Sequence, residues 1–197
     1  RIEVFPGAPP WRADEFVILD TETTGRFKGA RVVEVAALKV RRWTVVEEFV
    51  RLVNPDGSIP ADATSVHGIT NEMVRRAPRA VAVLPQLARF LDGARVLAHN
   101  ERFDRTILQG EYQRISEDPP RTRWYCTLKA MKALHPTQPT HALEALSDAL
   151  GVPRNGAHRA RADALRLLGL LRVTMTSNPD LRFTHLLAFG NGNGTLG

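Results

Sequence analysis

The sequence has a single cysteine, Cys126. One thiol forms no internal disulfide and no cysteine cluster for zinc, which excludes a disulfide-stapled secreted fold and fits a reducing cytoplasm. Its position between Tyr125 and Thr127 reads as a core residue and not a nucleophile. Lysine is also scarce: Lys28, Lys39, Lys129 and Lys132 stand alone, and arginine supplies the rest of the 27 basic residues. Long apolar runs are missing. Val32 to Val40, among the longest, contains Glu34 and Lys39, so it is too short and too charged to span a bilayer, and no membrane partner is expected. No signal-like segment opens the chain at Arg1, and internal repeats are absent.

What is present suits one globular domain: 197 residues, 43% of them hydrophobic, allow a sizeable core but not two large ones. The net charge of +6 and the pI of about 10.2 favour an anionic partner such as nucleic acid. Arginine suits that partner, because it contacts phosphate in bidentate fashion. Residues 1–13 carry three prolines and a glycine without periodicity and read as an irregular leader. Phe16 to Thr21, Arg31 to Val40 and Thr44 to Val53 then read as consecutive antiparallel strands, broken by Asn54-Pro55-Asp56-Gly57.

Helical spacing is expected over Asn71 to Arg76, Val83 to Leu91 and Glu101 to Ile115, and from Leu128 onward. Further helices carry Leu143, Leu146 and Leu150, and run from about Ala160 to Met175. Arg95 to His99 and Arg123 to Cys126 read as short strands, and their alternation with helices implies parallel crossovers. The expected fold class is α/β, a mixed five-stranded sheet flanked by helices. The main domain runs over 14–176. A C-terminal extension, 177–197, ends in alternating Gly and Asn from Gly190, a flexible end by composition.

Within FVILDTETTG, Asp20 and Glu22 stand where more core would be expected. In a strand they point to the same side, about 6 to 7 Å apart, and each raises the other's proton affinity unless a cation lies between them. Hard divalent ions such as Mg²⁺ take carboxylate oxygens. Taken alone, Asp-Thr-Glu reads equally as a solvated strand end leading into a turn. Two later segments supply further acids. In AHNERFDRTIL a strand gives way to a helix with Asp104 in its first turn, and in HRARADALRLL His158 precedes Asp163 by five positions at the start of the last long helix. Four acids and a histidine suit phosphodiester hydrolysis with two metal ions, the carboxylates holding the ions and the histidine taking water's proton.

The three motifs DTETTG, HNERFD and HRARAD, in this order and spacing, resemble those of the DEDDh group of 3′–5′ exonucleases. The fold of that group is ribonuclease H-like, and the resemblance is greatest to the DnaQ-type proofreading (epsilon) subunits of bacterial DNA polymerase III. It covers roughly Asp14 to Met175, making 14–176 the exonuclease domain. The resemblance implies two Mg²⁺ or Mn²⁺ ions held by Asp20, Glu22, Asp104 and Asp163, with His158 as base. It also implies release of nucleoside monophosphates from single-stranded DNA 3′ ends. VHGIT resembles the loop beside the terminal nucleotide, which implies substrate contacts at His67 and at Asp62, where the subunits in question carry Glu. Contacts from Thr23 and Thr24 are implied as well. A replicative polymerase subunit and a sliding clamp are the implied protein partners. HLLAF, His185 to Phe189, is distantly similar to a clamp-binding motif without its glutamine, and reads equally as a packed terminal strand. An RNA-trimming or DNA-repair exonuclease shares the same site chemistry, and a noncatalytic module keeping the fold is the alternative outside enzymes. His99 and Asn100 are expected to brace the strand end, and His141 to sit at a helix start.

Overall fold

The structure is a computed structural model that describes residues 15–153 and 158–190. The expected leader over 1–13 and the Gly/Asn run from Asn191 onward lie outside the described residues. Five strands form one sheet in the order β3-β2-β1-β4-β5. They are β1 (Phe16–Thr23), β2 (Val32–Arg41), β3 (Thr44–Leu52), β4 (Arg95–Ala98) and β5 (Arg123–Cys126). The first three pair antiparallel, whereas β1 with β4 and β4 with β5 pair parallel. The mixed sheet is therefore as expected, with a meander on one side and crossovers on the other.

β1 is central and buried on both faces, which is why Phe16 to Leu19 is continuously apolar. Side-chain alternation divides it between two cores. Val17 and Leu19 pack with Val35, Leu84, Leu87, Leu108, Tyr112 and Trp124, beneath α3 (Ala80–Leu91) and α4 (Glu101–Arg114). Phe16 and Ile18 pack with Leu38, Leu167, Leu170 and Leu171, beneath α5 (Thr127–Leu134), α6 (Leu143–Ala149) and α7 (Ala160–Thr176). Asp20 and Glu22 share the parity of Phe16 and Ile18, so they face α7; Thr21 has the opposite parity and faces α4.

Two elements differ from expectation. The VHGIT stretch does not follow a plain loop: α1 (Ala61–His67) ends on His67, and Gly68 at φ 70° closes it by donating its N–H to the Thr64 carbonyl, a left-handed cap that favours glycine. A one-turn helix, α2 (Asn71–Val74), follows, with Thr70 Oγ1 accepting from the Met73 N–H. The second difference is α8 (Phe183–Gly190), a helix where HLLAF read equally as a packed terminal strand. Its Phe183 stacks on Phe16 with ring centroids 4.8 Å apart and meets Trp43 edge-on. Phe183 and Leu186 are thereby buried, and a spacing of three brings both to one helical face. Among the described residues no helix is long and apolar enough to cross a membrane.

Candidate active site

Asp20, Glu22 and Asp163 each offer a carboxylate oxygen within 4.8 Å of the other two. The first two come from the end of β1 and the third from the first turn of α7, which packs across β1 and β2. The pairing is irregular here: Glu22 faces Glu34 and Thr23 faces Val32, so β2 carries one extra residue, Val33, a bulge of the kind found at sheet ends beside active sites. Asp104 lies outside the 4.8 Å group. It is buried in the first turn of α4 and approaches from the other side of β1, where Thr21 donates its hydroxyl to Asp104 Oδ1 at 2.8 Å.

The electrostatics are those of acids that repel one another. Burial pushes the Asp20 carboxyl well above its usual range, and Asp104, Glu22 and Asp163 push it further. Glu22 rises to about 8, first through burial and then through Asp163, Glu34 and Asp104, with Arg159 pulling it down. Asp104 rises to about 7 through burial, opposed by the Thr21 hydroxyl. Asp163 is raised by burial, while Arg166 and His158 lower it. An all-oxygen, anionic donor set of this density fits hard divalent cations, which favour the ionised carboxylates.

His158 lies just before α7 with its side chain half-exposed and Nε2 3.7 Å from Glu144 Oε2 on α6. Its φ of 50° is left-handed, a conformation that costs a non-glycine residue about 1 kcal/mol or more and needs support from its surroundings. That support is a pair of residues that the sequence reasoning missed. Glu34, buried in β2 directly opposite Glu22, accepts from Arg159 Nε at 3.0 Å, from Arg159 Nη2 and from the Ala160 N–H at 2.9 Å. Arg161 makes a second two-pronged pair with Glu48 on β3, at 2.7 and 2.8 Å. Together these fasten the start of α7 onto the meander and hold His158 and Asp163 over β1. The signal for Glu34 was present: a charge inside VVEVAAL makes sense only if something pairs with it. Nothing in the sequence names Arg159 as that partner. Arg166, buried one turn below Asp163 with Nη1 3.6 Å from its Oδ1, was likewise missed.

The substrate-contact candidates are divided. Thr23 and Thr24 are buried and shape the turn beyond β1: Thr23 donates to the Gly25 carbonyl, and Thr24 Oγ1 accepts the Arg31 N–H. His67 is buried beside them. Its Nδ1 accepts from the Ile69 N–H, so Nε2 carries the proton and donates to the Thr23 carbonyl at 3.2 Å. Burial lowers its pKa, in keeping with a neutral ring. Both nitrogens are thus engaged inside the protein, beside the end of β1. Asp62 is exposed in the first turn of α1, with Oδ1 accepting from the Ala63 N–H. His99 braces the end of β4 as expected, through Thr127 and the His141 carbonyl. Asn100 takes the left-handed N-cap position of α4 without a side-chain cap bond.

The chain is similar to several known proteins. The chain is 31% identical over 152 residues to the DNA polymerase III subunit epsilon of Treponema pallidum (strain Nichols), covering 76% of this chain and 71% of that protein. It is 32% identical over 151 residues to the 3'-5' exonuclease DinG of Bacillus subtilis (strain 168), covering 76% of this chain but 16% of that protein. Overall the chain spans between 10% and 26% of the length of four of the curated relatives it matches. Among solved structures, Exonuclease X in complex with 5' overhanging duplex DNA superposes with a TM-score of 0.72 at 26% identity, covering 89% of this chain and 99% of that one. The ribonuclease H-like sheet is shared with such neighbours. The profile described as Exonuclease (RNase_T) matches residues 17–171, a span that begins within β1 and ends within α7 and so takes in every acid described above; the chain belongs to this exonuclease family.

Proposed function

We propose that this protein is a metal-dependent 3′–5′ exonuclease that shortens single-stranded DNA from its 3′ end, releases nucleoside monophosphates and serves replication proofreading. The observation that carries the reading is the meeting of three carboxylates from β1 and α7 within 4.8 Å, with His158 at the entrance to α7. Asp20, Glu22 and Asp163 hold cations, and Asp104 completes the set from the α4 side. Bound Mg²⁺ or Mn²⁺, two ions per site, would supply Lewis-acid stabilisation of the attacking and leaving oxygens. His158 Nε2 takes the proton of the attacking water, with Glu144 Oε2 3.7 Å away on α6. Thr23, Thr24 and His67 hold the strand end in shape, while Asp62, exposed on α1, is within reach of solvent for a strand to meet. The working unit is 14–176, with 177–197 as an extension from it.

The DNA substrate is supported by the overhanging duplex named in the Exonuclease X structure. A replicative polymerase partner is supported by the epsilon relative. A sliding clamp and a cytoplasmic location belong to the same reading. The test is a time course on 5′-labelled single-stranded DNA and the matching RNA, with Mg²⁺ or Mn²⁺, against an Asp163→Ala control. Stepwise loss of DNA from the 3′ end, abolished by chelator and by the substitution, is expected. RNA-only shortening would move the assignment to RNA trimming, and shortening of neither strand would overturn the catalytic reading.

A further inference from the structure

The acids of the site repel an anionic strand, so a cation of the chain's own, beside the bound ions, would help to hold one there. Burial raises Glu22 and Asp163, and two arginines oppose it, Arg159 at Glu22 and Arg166 at Asp163. Arg166 is buried and out of reach of a strand. The Arg159 side chain is 40% exposed.

Arg159 is fixed against the site through its main chain and its side chain. Its carbonyl accepts the Asp163 N–H at 2.9 Å, and His158 precedes it in the chain. Its guanidinium grips Glu34, donating Nε to Oε2 at 3.0 Å and Nη2 to Oε1. Glu34 stands directly opposite Glu22 across β1 and β2, a pairing that leaves side chains about 5 Å apart at Cβ. The guanidinium is raised first through its bond to Glu34 and, against burial, through the charges of Glu34 and Glu22, which places it within the field of the site. A guanidinium carries donors on more than one edge. The Nε/Nη2 edge is taken by Glu34, and Nη1 has no hydrogen-bond partner among the described residues. The Nη1/Nη2 edge of a side chain already held in place is thus free, and such an edge matches two oxygens of one phosphate. Because Glu34 holds it in advance, little side-chain freedom is left to lose on binding.

We propose that Arg159 binds a backbone phosphate of the strand with this free edge while its other edge holds Glu34. This deepens the exonuclease reading and rests on it. The test measures binding of labelled oligothymidylate by fluorescence anisotropy in Ca²⁺ over a range of KCl. It compares Glu34→Gln with the double variant Glu34→Gln/Arg159→Gln, since neither leaves a buried carboxylate unpaired and both lose the charged pair that fastens α7. Removing the arginine should weaken binding about tenfold at low salt and make the slope of log affinity against log salt shallower by about 0.7. Arg159→Lys in the wild type should keep the slope. A second series places one uncharged methylphosphonate at each of the last few linkages in turn. At one linkage it should weaken Glu34→Gln but add nothing to the loss in the double variant. Equal slopes in the two variants, or losses that multiply at every linkage, would overturn the proposal and leave Arg159 with the fastening of α7 alone. Where either variant fails to fold, the wild type and Arg159→Lys carry the methylphosphonate series: a smaller cost of one linkage in the lysine variant upholds the two-pronged contact, and equal costs throughout remove it. Strand shortening in Mg²⁺ is scored separately. A wild type that binds the strand but shortens none ends the exonuclease reading, and the binding series then decides on Arg159 by itself; a wild type that binds no strand ends both.

Discussion

Cation binding should expel protons, and the number follows from the acids themselves. Glu22, at about 8, is about 0.9 protonated at pH 7, and Asp104, at about 7, is about half protonated. Divalent cations require ionised carboxylates, so loading the site at pH 7 releases about 1.4 protons, falling to about 0.1 at pH 9. Integrated over pH, these two acids make apparent affinity about 1,000-fold weaker at pH 6 than at pH 9. Asp20 is raised in the same direction. The sign for stability is opposite to that of an ordinary ion-paired carboxylate. A raised carboxyl stabilises the fold below its ordinary value and loses that contribution as pH rises through its folded value, so the cation-free protein should lose stability from about pH 4.5 to about pH 8. Mn²⁺ should recover it. The assay is calorimetric titration with Mn²⁺ in buffers of differing ionisation enthalpy at pH 7 and pH 9. Glu22→Gln should lower the release at pH 7 by about 0.9 proton. Release below about 0.3 proton at pH 7, or an affinity indifferent to pH, would refute the raising of these carboxyls, by burial first, on which the reasoning depends.

Breaking the Glu34–Arg159 pair tests the fastening of α7. Arg159→Ala leaves a buried carboxylate with only the Ala160 N–H, and because the Arg159 side chain is 40% exposed, the cost should fall at the low end for such pairs, about 3 kcal/mol. A melting temperature lowered by roughly 6–12 °C is expected, together with weaker Mn²⁺ binding; an unchanged melt would show that the pair does not hold the helix. Thr21→Val removes the hydroxyl that holds the Asp104 carboxyl down, so the acidic limb of the pH–activity profile should move to higher pH, and an unmoved limb would count against Asp104 as a working acid. His99 is lowered by burial, so its contribution is present above the ordinary histidine value of about 6.5 and lost as pH falls below it. In paired thermal melts the wild type should lose stability relative to His99→Gln as pH falls below about 6.5, and a difference that does not change with pH would refute the assignment.

Much of the fold was legible because its signals are local. β1, β2 and β3 announce themselves by short apolar runs between breakers, and α4 and α7 by helical spacing, so observed and expected bounds differ by only a residue or two there. α8 was not legible: FTHLLAF is short and apolar, a pattern shared by strands and buried helices, and the decision came from the Phe16–Trp43 surface on which Phe183 packs. α1 was hidden for a similar reason, since its helix is closed by Gly68 within a stretch otherwise rich in loop-forming residues.

By itself the sequence singled out the candidate acids and the candidate histidine, because alternation along β1 and placement at two helix starts are properties of neighbours in the chain. Only the tertiary structure decided how they meet. Asp20, Glu22 and Asp163 form the tight group while Asp104 stands behind Thr21, a consequence of side-chain parity in β1 and of α4 and α7 lying against opposite faces of the sheet. Glu34 and Arg159 are 125 residues apart, and no local pattern links a charge in one strand to a charge at the start of a distant helix. Their pairing arises because β2 lies beside β1 and α7 crosses both, which brings a buried carboxylate within reach of the arginine that neutralises it.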